Sequence, residues 1–192
     1  MLLLLVVALV VSSRRGKRRS DRLQQQYGDE YQYAVAKNGD RKVAERELES
    51  RRERVAQLEL KPLDPDDAQR ITQQWMRAQT HFVDAPSQAI READGLVAEV
   101  MELRGYPTGD FERRAADISV DHADLVTNYR SAHQTALRNS RGNATTEEMR
   151  RAMVQYRDLF SELLETRVAD EPAAAGSSRD RADENTPIRP SD

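Results

Sequence analysis

The chain has 192 residues, of which 33% are charged and none is cysteine, and its formal net charge is −3. The lack of cysteine excludes disulfides, thiolate catalysis, zinc–cysteine sites and lipid attachment to a cysteine. Aromatic residues make up only 5% and helix-forming residues dominate, which favours helices, while a mildly acidic body with one basic segment does not fit a nucleic-acid binder.

The N-terminus is apolar and is followed at once by basic residues. Residues 1–12 predict a membrane anchor, and residues 13–22 predict a basic juxtamembrane collar. Positive charge on the C-terminal side of the apolar run predicts a single-pass protein of the cell membrane whose bulk is cytoplasmic. The residues expected at the membrane surface are Arg14, Arg15, Lys17, Arg18 and Arg19.

The apolar run is short for a membrane span. Its eleven residues reach about 16 Å as a helix, whereas the hydrocarbon core is about 30 Å thick. One hypothesis is that translation starts upstream, and determination of the native N-terminus tests it. The alternative is an exported helical protein whose apolar segment is cleaved near Ser12.

Residues 23–60 predict a charged helical hairpin or stalk. The first helix of this segment has apolar residues at spacings of three and four and ends at Asn38-Gly39. The second helix has a narrow apolar seam in which Arg51 takes one position and pairs with Glu47 one turn earlier. The rest of the surface of this second helix is charged, so we expect the helix to be half exposed and packed as a hairpin with the first.

Residues 63–168 predict a compact bundle of about four to five helices, which makes the fold all-α. Asp64 and Pro65 start one helix, and Asp84 is the expected N-cap of the next, which Gly105 ends. The apolar stripes expected to face the core are Ala68, Thr72, Trp75, Met76, Gln79, Phe82 and Val83 in the first helix and Ala89, Ile90, Ala93, Leu96, Val97, Val100 and Met101 in the second. Gln79 is expected to be a core amide with satisfied hydrogen bonds.

The remainder of the bundle follows the same pattern. A short helix or turn is expected around Phe111, followed by a helix that begins near Asp121. Thr145 and Glu148 form a capping box for the last helix. Residues 169–192 are rich in Ala, Gly, Ser, Pro and charge, and they predict a disordered tail.

A cluster of acidic and histidine residues is the candidate for chemistry. Asp117, Asp121 and His122 lie close in sequence, with His133 as a further partner, and such residues can serve a metal or acid–base site. Acids at the start of a helix are also favoured by its dipole, and the two histidines lie about 16 Å apart along a helix, too far to share a metal ion. His133 is therefore expected to be partly buried and bonded to a neighbour, and Asp94 is expected to meet an arginine of another helix.

Known catalytic and cofactor motifs do not occur in the sequence. G-x-S-x-G, the P-loop, G-x-G-x-x-G and H-E-x-x-H are all absent. We therefore predict that the chain is not an enzyme and that it has no cofactor.

Several segments of residues 1–168 carry a family resemblance. They are the apolar N-terminus with its Arg-rich collar, YGDEY (27–31), GDRKVAERELESR (39–51), Trp75 with FVDAP (82–86), ADGLVAEVMELRGYP (93–107) and MVQYRDLFSELLE (153–165). Together they resemble a family of short bacterial proteins with an N-terminal apolar anchor and a helical domain, labelled as uncharacterised secreted or membrane proteins. The resemblance implies that architecture and no activity, so no functional residue is carried over, and the apolar run is shorter here than in similar proteins.

Two functions from different classes are consistent with these features. The first is a membrane-tethered helical module for protein–protein interaction or scaffolding, whose partners are membrane lipid and an unidentified protein, and not nucleic acid. The alternative is a small ligand-binding, metal-binding or hydrolytic domain that uses Asp121 and His122. The exported helical protein is a further alternative.

Overall fold

The computed structural model describes residues 17–165, which form eight helices and no strand. The prediction of an all-α fold is thereby confirmed for this part of the chain. The helices are α1 (17–27), α2 (Asp29–Asn38), α3 (Arg41–Val55), α4 (Pro65–His81), α5 (Pro86–Leu103), α6 (Phe111–Ile118), α7 (Ala123–Ser140) and α8 (Thr146–Glu165). The predicted anchor and the predicted tail lie outside the described residues.

The prediction of a single-pass membrane location is contradicted. Within residues 17–165, no helix is both long enough and apolar enough to cross a membrane. The reason is visible even in α5, the core helix of the bundle, because Arg91, Glu92 and Glu99 interrupt its apolar sequence. The apolar segment on which the prediction rested lies outside the described residues.

The described part of the basic collar belongs to a helix. Residues 17–19 begin α1, and the guanidinium of Arg19 forms an ion pair with Glu49 of α3. Arg14 and Arg15 lie outside the described residues. Arg19 thus links two helices of the hairpin, and its place at a membrane surface stays a prediction.

The predicted signals at two helix starts are confirmed. Asp64 accepts a hydrogen bond from the backbone N–H of Asp66 at 2.9 Å, with Pro65 in the first turn of α4. At the start of α8, the N–H of Thr145 donates to Glu148 at 2.8 Å, and the N–H of Glu148 donates to the Thr145 hydroxyl at 3.3 Å. These caps satisfy backbone donors that a helix leaves without a partner in its first turn.

The start of α5 differs from the prediction. Ala85 and not Asp84 occupies the N-cap position, and no side chain caps the helix. The cause is the tight connection from α4, because the N–H groups of Asp84 and Ala85 both donate to the carbonyl of His81, at 3.2 and 2.7 Å. Pro86 follows in the first turn, where its missing N–H costs nothing.

α5 lies at the centre of the bundle. All seven residues of its predicted stripe are buried, which confirms that prediction. α5 packs against α4 on one side and α8 on the other, and α8 packs along α7. Trp75 of α4 stacks on Phe160 of α8, with ring centroids 4.5 Å apart. Each aliphatic side chain transferred from water into such a core stabilises the fold by about 1.5–3 kcal/mol.

The buried face of α4 is rotated from the predicted one. Met76 and Val83 of the predicted stripe are 61% and 84% exposed, and Gln79 is exposed rather than a core amide. The buried residues of α4 are Ile71, Trp75 and Ala78. The reason is that α4 lies at the edge of the bundle and packs mainly against α5, so that one neighbour selects a narrow face.

The hairpin formed by α1, α2 and α3 has a small core of its own. Its buried apolar residues are Leu23, Tyr27, Tyr31, Ala34, Ala44 and Leu48. The hydroxyls of Ser20 and Tyr31 both donate to Glu45, at 2.6 and 2.8 Å. The hairpin is not a free stalk, since α2 packs against α7 and α3 packs against α6.

Buried charges join the hairpin to the bundle. Glu30 of α2 is fully buried and accepts hydrogen bonds from Arg51 of α3 at 2.5 Å and from Arg130 of α7 at 3.1 Å. Arg54 of α3 donates to Asp117 of α6 at 2.8 Å, and Asp117 is also fully buried. We call these five residues the hairpin–bundle interface.

Arg51 is the most deeply buried cation of this interface. The predicted i,i+4 pair is confirmed, since its Nε donates to Glu47 at 2.6 Å, and the guanidinium also donates to the Ser119 hydroxyl at 3.1 Å. Burial disfavours the charged form, but hydrogen bonds to Glu47 and Glu30 outweigh that effect and raise the pKa of Arg51. An arginine in the apolar seam of α3 is therefore a buried contact to α2 and to the C-terminal end of α6.

Candidate functional site

A groove of about 460 Å³ lies between α4 and α5. Its α4 wall consists of Gln74, Arg77 and His81, which share one face of that helix. Its α5 residues are Arg91, Glu92, Gly95, Leu96 and Glu99. We call this surface the α4–α5 groove, and its volume lies in the usual range of binding clefts.

Gly95 lies in the middle of α5, is exposed, and lines the α4–α5 groove. A Cβ atom added to this glycine would meet no other atom within 4 Å. A glycine in a helix interior destabilises the helix by about 1 kcal/mol relative to alanine. The described chain therefore offers no packing reason for glycine here, although the residue has a cost in stability.

A second groove, of about 250 Å³, lies on the other side of Gly95. It is lined by Ala98 and Glu102 of α5 and by Pro107, Thr108 and Arg114. Gly95 and Glu99 line both grooves. The two grooves thus adjoin at Gly95 and Glu99, and together they form one concave strip along α5.

The carboxylates of the α4–α5 groove have partners within the protein. Glu99 accepts a hydrogen bond from Arg70 at 2.7 Å. Glu92 accepts one from Gln88 at 2.8 Å and lies 3.5 Å from the ring Nδ1 of His81. Arg70 compensates part of the charge of Glu99, since it also pairs with Asp67, and Glu92 is held by a neutral amide.

The two arginines of the groove differ from these carboxylates. Arg77 of α4 and Arg91 of α5 are exposed, and neither makes an ion pair or side-chain hydrogen bond to any residue of the described chain. Arg70 pairs with an acid, whereas Arg52 and Arg141 are exposed without an ion pair in the described chain, as the two groove arginines are. What sets Arg77 and Arg91 apart is that both line one groove. A guanidinium in a concave surface attracts carboxylate or phosphate oxygens, which its planar N–H groups bind in pairs.

The structure does not bring the predicted acid–histidine cluster together in one site. Asp117 is held in the hairpin–bundle interface by Arg54, and Asp121 is exposed in a groove beside α1. His122 is buried, with its Nδ1 3.5 Å from Glu162, and burial lowers the pKa of His122. In the described part of the chain, no group of three His, Asp or Glu residues is placed to hold a metal ion.

His133 is partly buried and bonded to a neighbour, as predicted. Its Nδ1 lies 3.0 Å from Asp94, and its ring stacks on Phe111 with centroids 3.7 Å apart. The hydroxyl of Tyr156 donates to the same carboxylate at 2.7 Å. Burial opposes ionisation of Asp94, but the hydrogen bonds with His133 and Tyr156 outweigh it and lower the pKa of Asp94. Asp94 is thus bonded to a histidine and a tyrosine and not to the predicted arginine.

The Asp94–His133 pair can orient the imidazole, but it does not form a site with a reactive group. Phe111 covers one face of the imidazole ring, and His133 lines neither of the grooves beside Gly95. We interpret the pair as a polar contact that fixes α7 and α8 on α5.

Sequence reasoning missed the residues that make the groove distinctive, which are Arg77, Arg91 and Gly95. One signal was available for Gly95, because a glycine inside a strongly periodic apolar helix often has a packing or functional reason. The arginines gave no comparable signal, since exposed arginines are common on helices. Their lack of a partner depends on the positions of two helices and appears only in the folded chain.

Comparison with models of protein families, with curated proteins and with solved structures found no match. The resemblance to a family of anchored bacterial proteins therefore stays a prediction. Function has to be inferred from the residues of the chain itself, and the α4–α5 groove is the surface with the most specific features.

Proposed function

We propose that this chain is a helical protein–protein interaction module that receives a segment of a partner protein in the α4–α5 groove. The observation that carries the proposal is Gly95, an exposed mid-helix glycine with open space where a side chain would lie. Glycine allows another backbone to approach a helix more closely than any side chain does. A partner backbone that packs on α5 at this point explains why the position is a glycine, which contacts within the described chain do not.

The shape of the surface supports a helical or extended segment as the occupant. The concave strip follows α5 from Arg91 to Glu102, which is about 16 Å along a helix. Recognition of an amphipathic helix in a groove between two helices is a recurrent binding mode, in which a few side chains enter pockets and the backbone approaches closely. Leu96, a core residue that is 7% exposed, contributes apolar lining, and most other lining residues are polar or charged.

Site-specific photo-crosslinking in the native cells tests the proposal. A photoreactive phenylalanine analogue replaces Gln74 in the groove, and the same analogue replaces Met76 as the control on an exposed face of α4 outside the groove. We expect a reproducible protein adduct from position 74 and not from position 76. Equal labelling at the two positions, or none at either, would contradict the proposal.

A blocking substitution provides the second part of the test. Gly95→Trp places a large side chain in open space in the groove, so the adduct at position 74 is expected to disappear while the fold remains intact. Gln79→Trp, on an exposed face of α4, adds the same side chain outside the groove and is expected to leave the adduct unchanged. Circular dichroism and thermal unfolding of both variants verify that the bundle is folded.

A further inference from the structure

We infer that the segment received by the α4–α5 groove is acidic and that its carboxylates bind Arg77 and Arg91. The inference rests on the proposed function, because it names the chemistry of the partner that the groove receives. It rests on the two guanidinium groups of the groove that have no ion pair within the described residues.

Both acids of the groove accept hydrogen bonds inside the protein, and Glu99 pairs with a guanidinium. Arg70 donates to Glu99 at 2.7 Å, and Glu92 is hydrogen bonded to Gln88 at 2.8 Å and lies near His81. A basic partner would have to compete with these internal groups. Glu99 is therefore less available to a positively charged segment than an acid without an ion pair.

The two guanidinium groups have no such engagement. Arg77 and Arg91 come from opposite sides of the groove and have no ion pair within residues 17–165. A carboxylate that enters the groove gains charge-assisted hydrogen bonds from either guanidinium, and the concave surface strengthens the field that attracts it. Negative charge is thus the complement that this pair lacks.

The spacing between Arg91 and Gly95 predicts a further feature of the partner segment. Arg91 precedes Gly95 by one helical turn, about 6 Å along the axis. The partner is expected to have an acidic residue about one turn away from a small or apolar residue that rests on Gly95 and Leu96. A free phosphate ion or a nucleotide would use the arginines but would leave the glycine and the apolar lining without a role, so we favour an acidic protein segment.

The experiment uses the full chain with the photoreactive residue at position 74 in three backgrounds. They are the unchanged chain, Arg77→Glu with Arg91→Glu, and a control with Arg52→Glu and Arg141→Glu. The control makes the same change in net charge at exposed arginines that do not line the groove. Mass spectrometry of the crosslinked peptide identifies the partner segment and its charge.

We expect the adduct to be lost only with the Arg77 and Arg91 substitutions and the crosslinked segment to be acidic. If no background gives an adduct, the proposed function itself is overturned. If all three backgrounds give the same adduct, or if the crosslinked segment is basic, the groove still binds a partner but the inference about its charge is overturned.

Exchanging the charges on the protein and on the peptide tests whether Arg77 and Arg91 contact the partner's acids or only maintain the structure of the groove. A synthetic peptide of the crosslinked segment is measured by fluorescence anisotropy against the unchanged protein and the Arg77, Arg91 variant. We expect its affinity to fall about tenfold or more in the variant, and a peptide with its acids replaced by lysine is expected to bind the variant better than the unchanged protein. If the exchanged peptide shows no preference for the variant, the arginines do not contact the partner's acids and the inference fails.

Discussion

Two sides of the bundle use the same residue types in opposite ways. The side covered by the hairpin and its connection contains Arg51, 1% exposed and bonded to carboxylates, and Gly105, where an added Cβ would lie 2.7 Å from the carbonyl oxygen of Glu59. The open side contains Arg77 and Gly95, of which the first has no ion pair in the described chain and the second has open space around it. On the covered side the fold explains each residue. On the open side it explains neither, and this difference is the basis on which we propose that side as the surface for a partner.

The physical basis of the difference is the cost of burial. A buried charge without a partner destabilises a protein strongly, whereas an exposed one is solvated by water at little cost. The hairpin–bundle interface therefore has to pair its charges for the chain to fold. The arginines of the groove can remain unpaired until something covers them.

The largest effect is expected on the covered side, at Glu30. Glu30→Ala leaves Arg51 and Arg130 without the fully buried carboxylate that they share, and we expect the free energy of unfolding to fall by about 3–5 kcal/mol. Urea denaturation measures it, with Glu53→Ala at an exposed position of α3 as the control. A loss as small as that of the control would mean that the hairpin does not depend on the buried pair.

Two glycines with positive φ give a matched test of backbone contact. Gly105 has φ +92° and faces the Glu59 carbonyl at 2.7 Å from an added Cβ, whereas Gly142 has φ +73° and open space. We expect Gly105→Ala to destabilise by about 2–3 kcal/mol and Gly142→Ala by about 1 kcal/mol. Thermal unfolding of the two variants measures the difference. Equal losses of stability would show that the backbone at Glu59 moves away from the added methyl group without a loss of stability.

Asp94 lies in α5 between the core residue Ala93 and the groove residue Gly95. Its contribution to stability is expected to depend on pH. Its pKa is lowered in the folded protein, so its stabilising effect is present above the unfolded pKa of about 4 and is lost as pH falls through the folded pKa. We expect Asp94→Asn to destabilise by about 1–3 kcal/mol near neutral pH. The difference from the unchanged protein in urea unfolding should shrink as the pH falls from about 5 to about 3. A difference that stays constant over this range would contradict the role assigned to the ionised carboxylate.

The smallest effect has the opposite sign and lies on the open side. Gly95→Ala adds a methyl group where no atom lies within 4 Å, so we expect it to stabilise the protein by about 0.5–1 kcal/mol. The reverse change at a neighbouring position, Ala98→Gly, is expected to destabilise. Differential scanning calorimetry measures both, and a destabilising Gly95→Ala would mean that the fold does need this glycine.

The sequence was informative where structure depends on nearby residues. The capping box of Thr145 with Glu148 and the apolar stripe of α5 follow from spacings of three and four along one helix, and both are present. The buried face of α4 could not be predicted in the same way. An edge helix buries whichever face meets its one main neighbour, and the apolar Met76 and Val83 remained outside.

Contacts between distant residues were beyond such reasoning. Glu30 looks like an ordinary exposed acid of a charged helix, but its partners lie 21 and 100 positions away in the chain. The acids near His122 appeared to be a cluster because they are neighbours in sequence. In the fold, Asp117 faces α3 while His122 faces α8, since successive residues around a helix end point to different elements.

The stacked pair of Trp75 and Phe160 makes the protein its own optical reporter. Trp75 is the single tryptophan of the chain and is 5% exposed, so the indole emission of the unmodified protein comes from α4 alone. Arg77 of the groove lies two residues farther along the same helix. A segment that enters the groove and shifts α4 against α8 will change the intensity or wavelength of that emission, which allows occupancy to be followed without any attached dye.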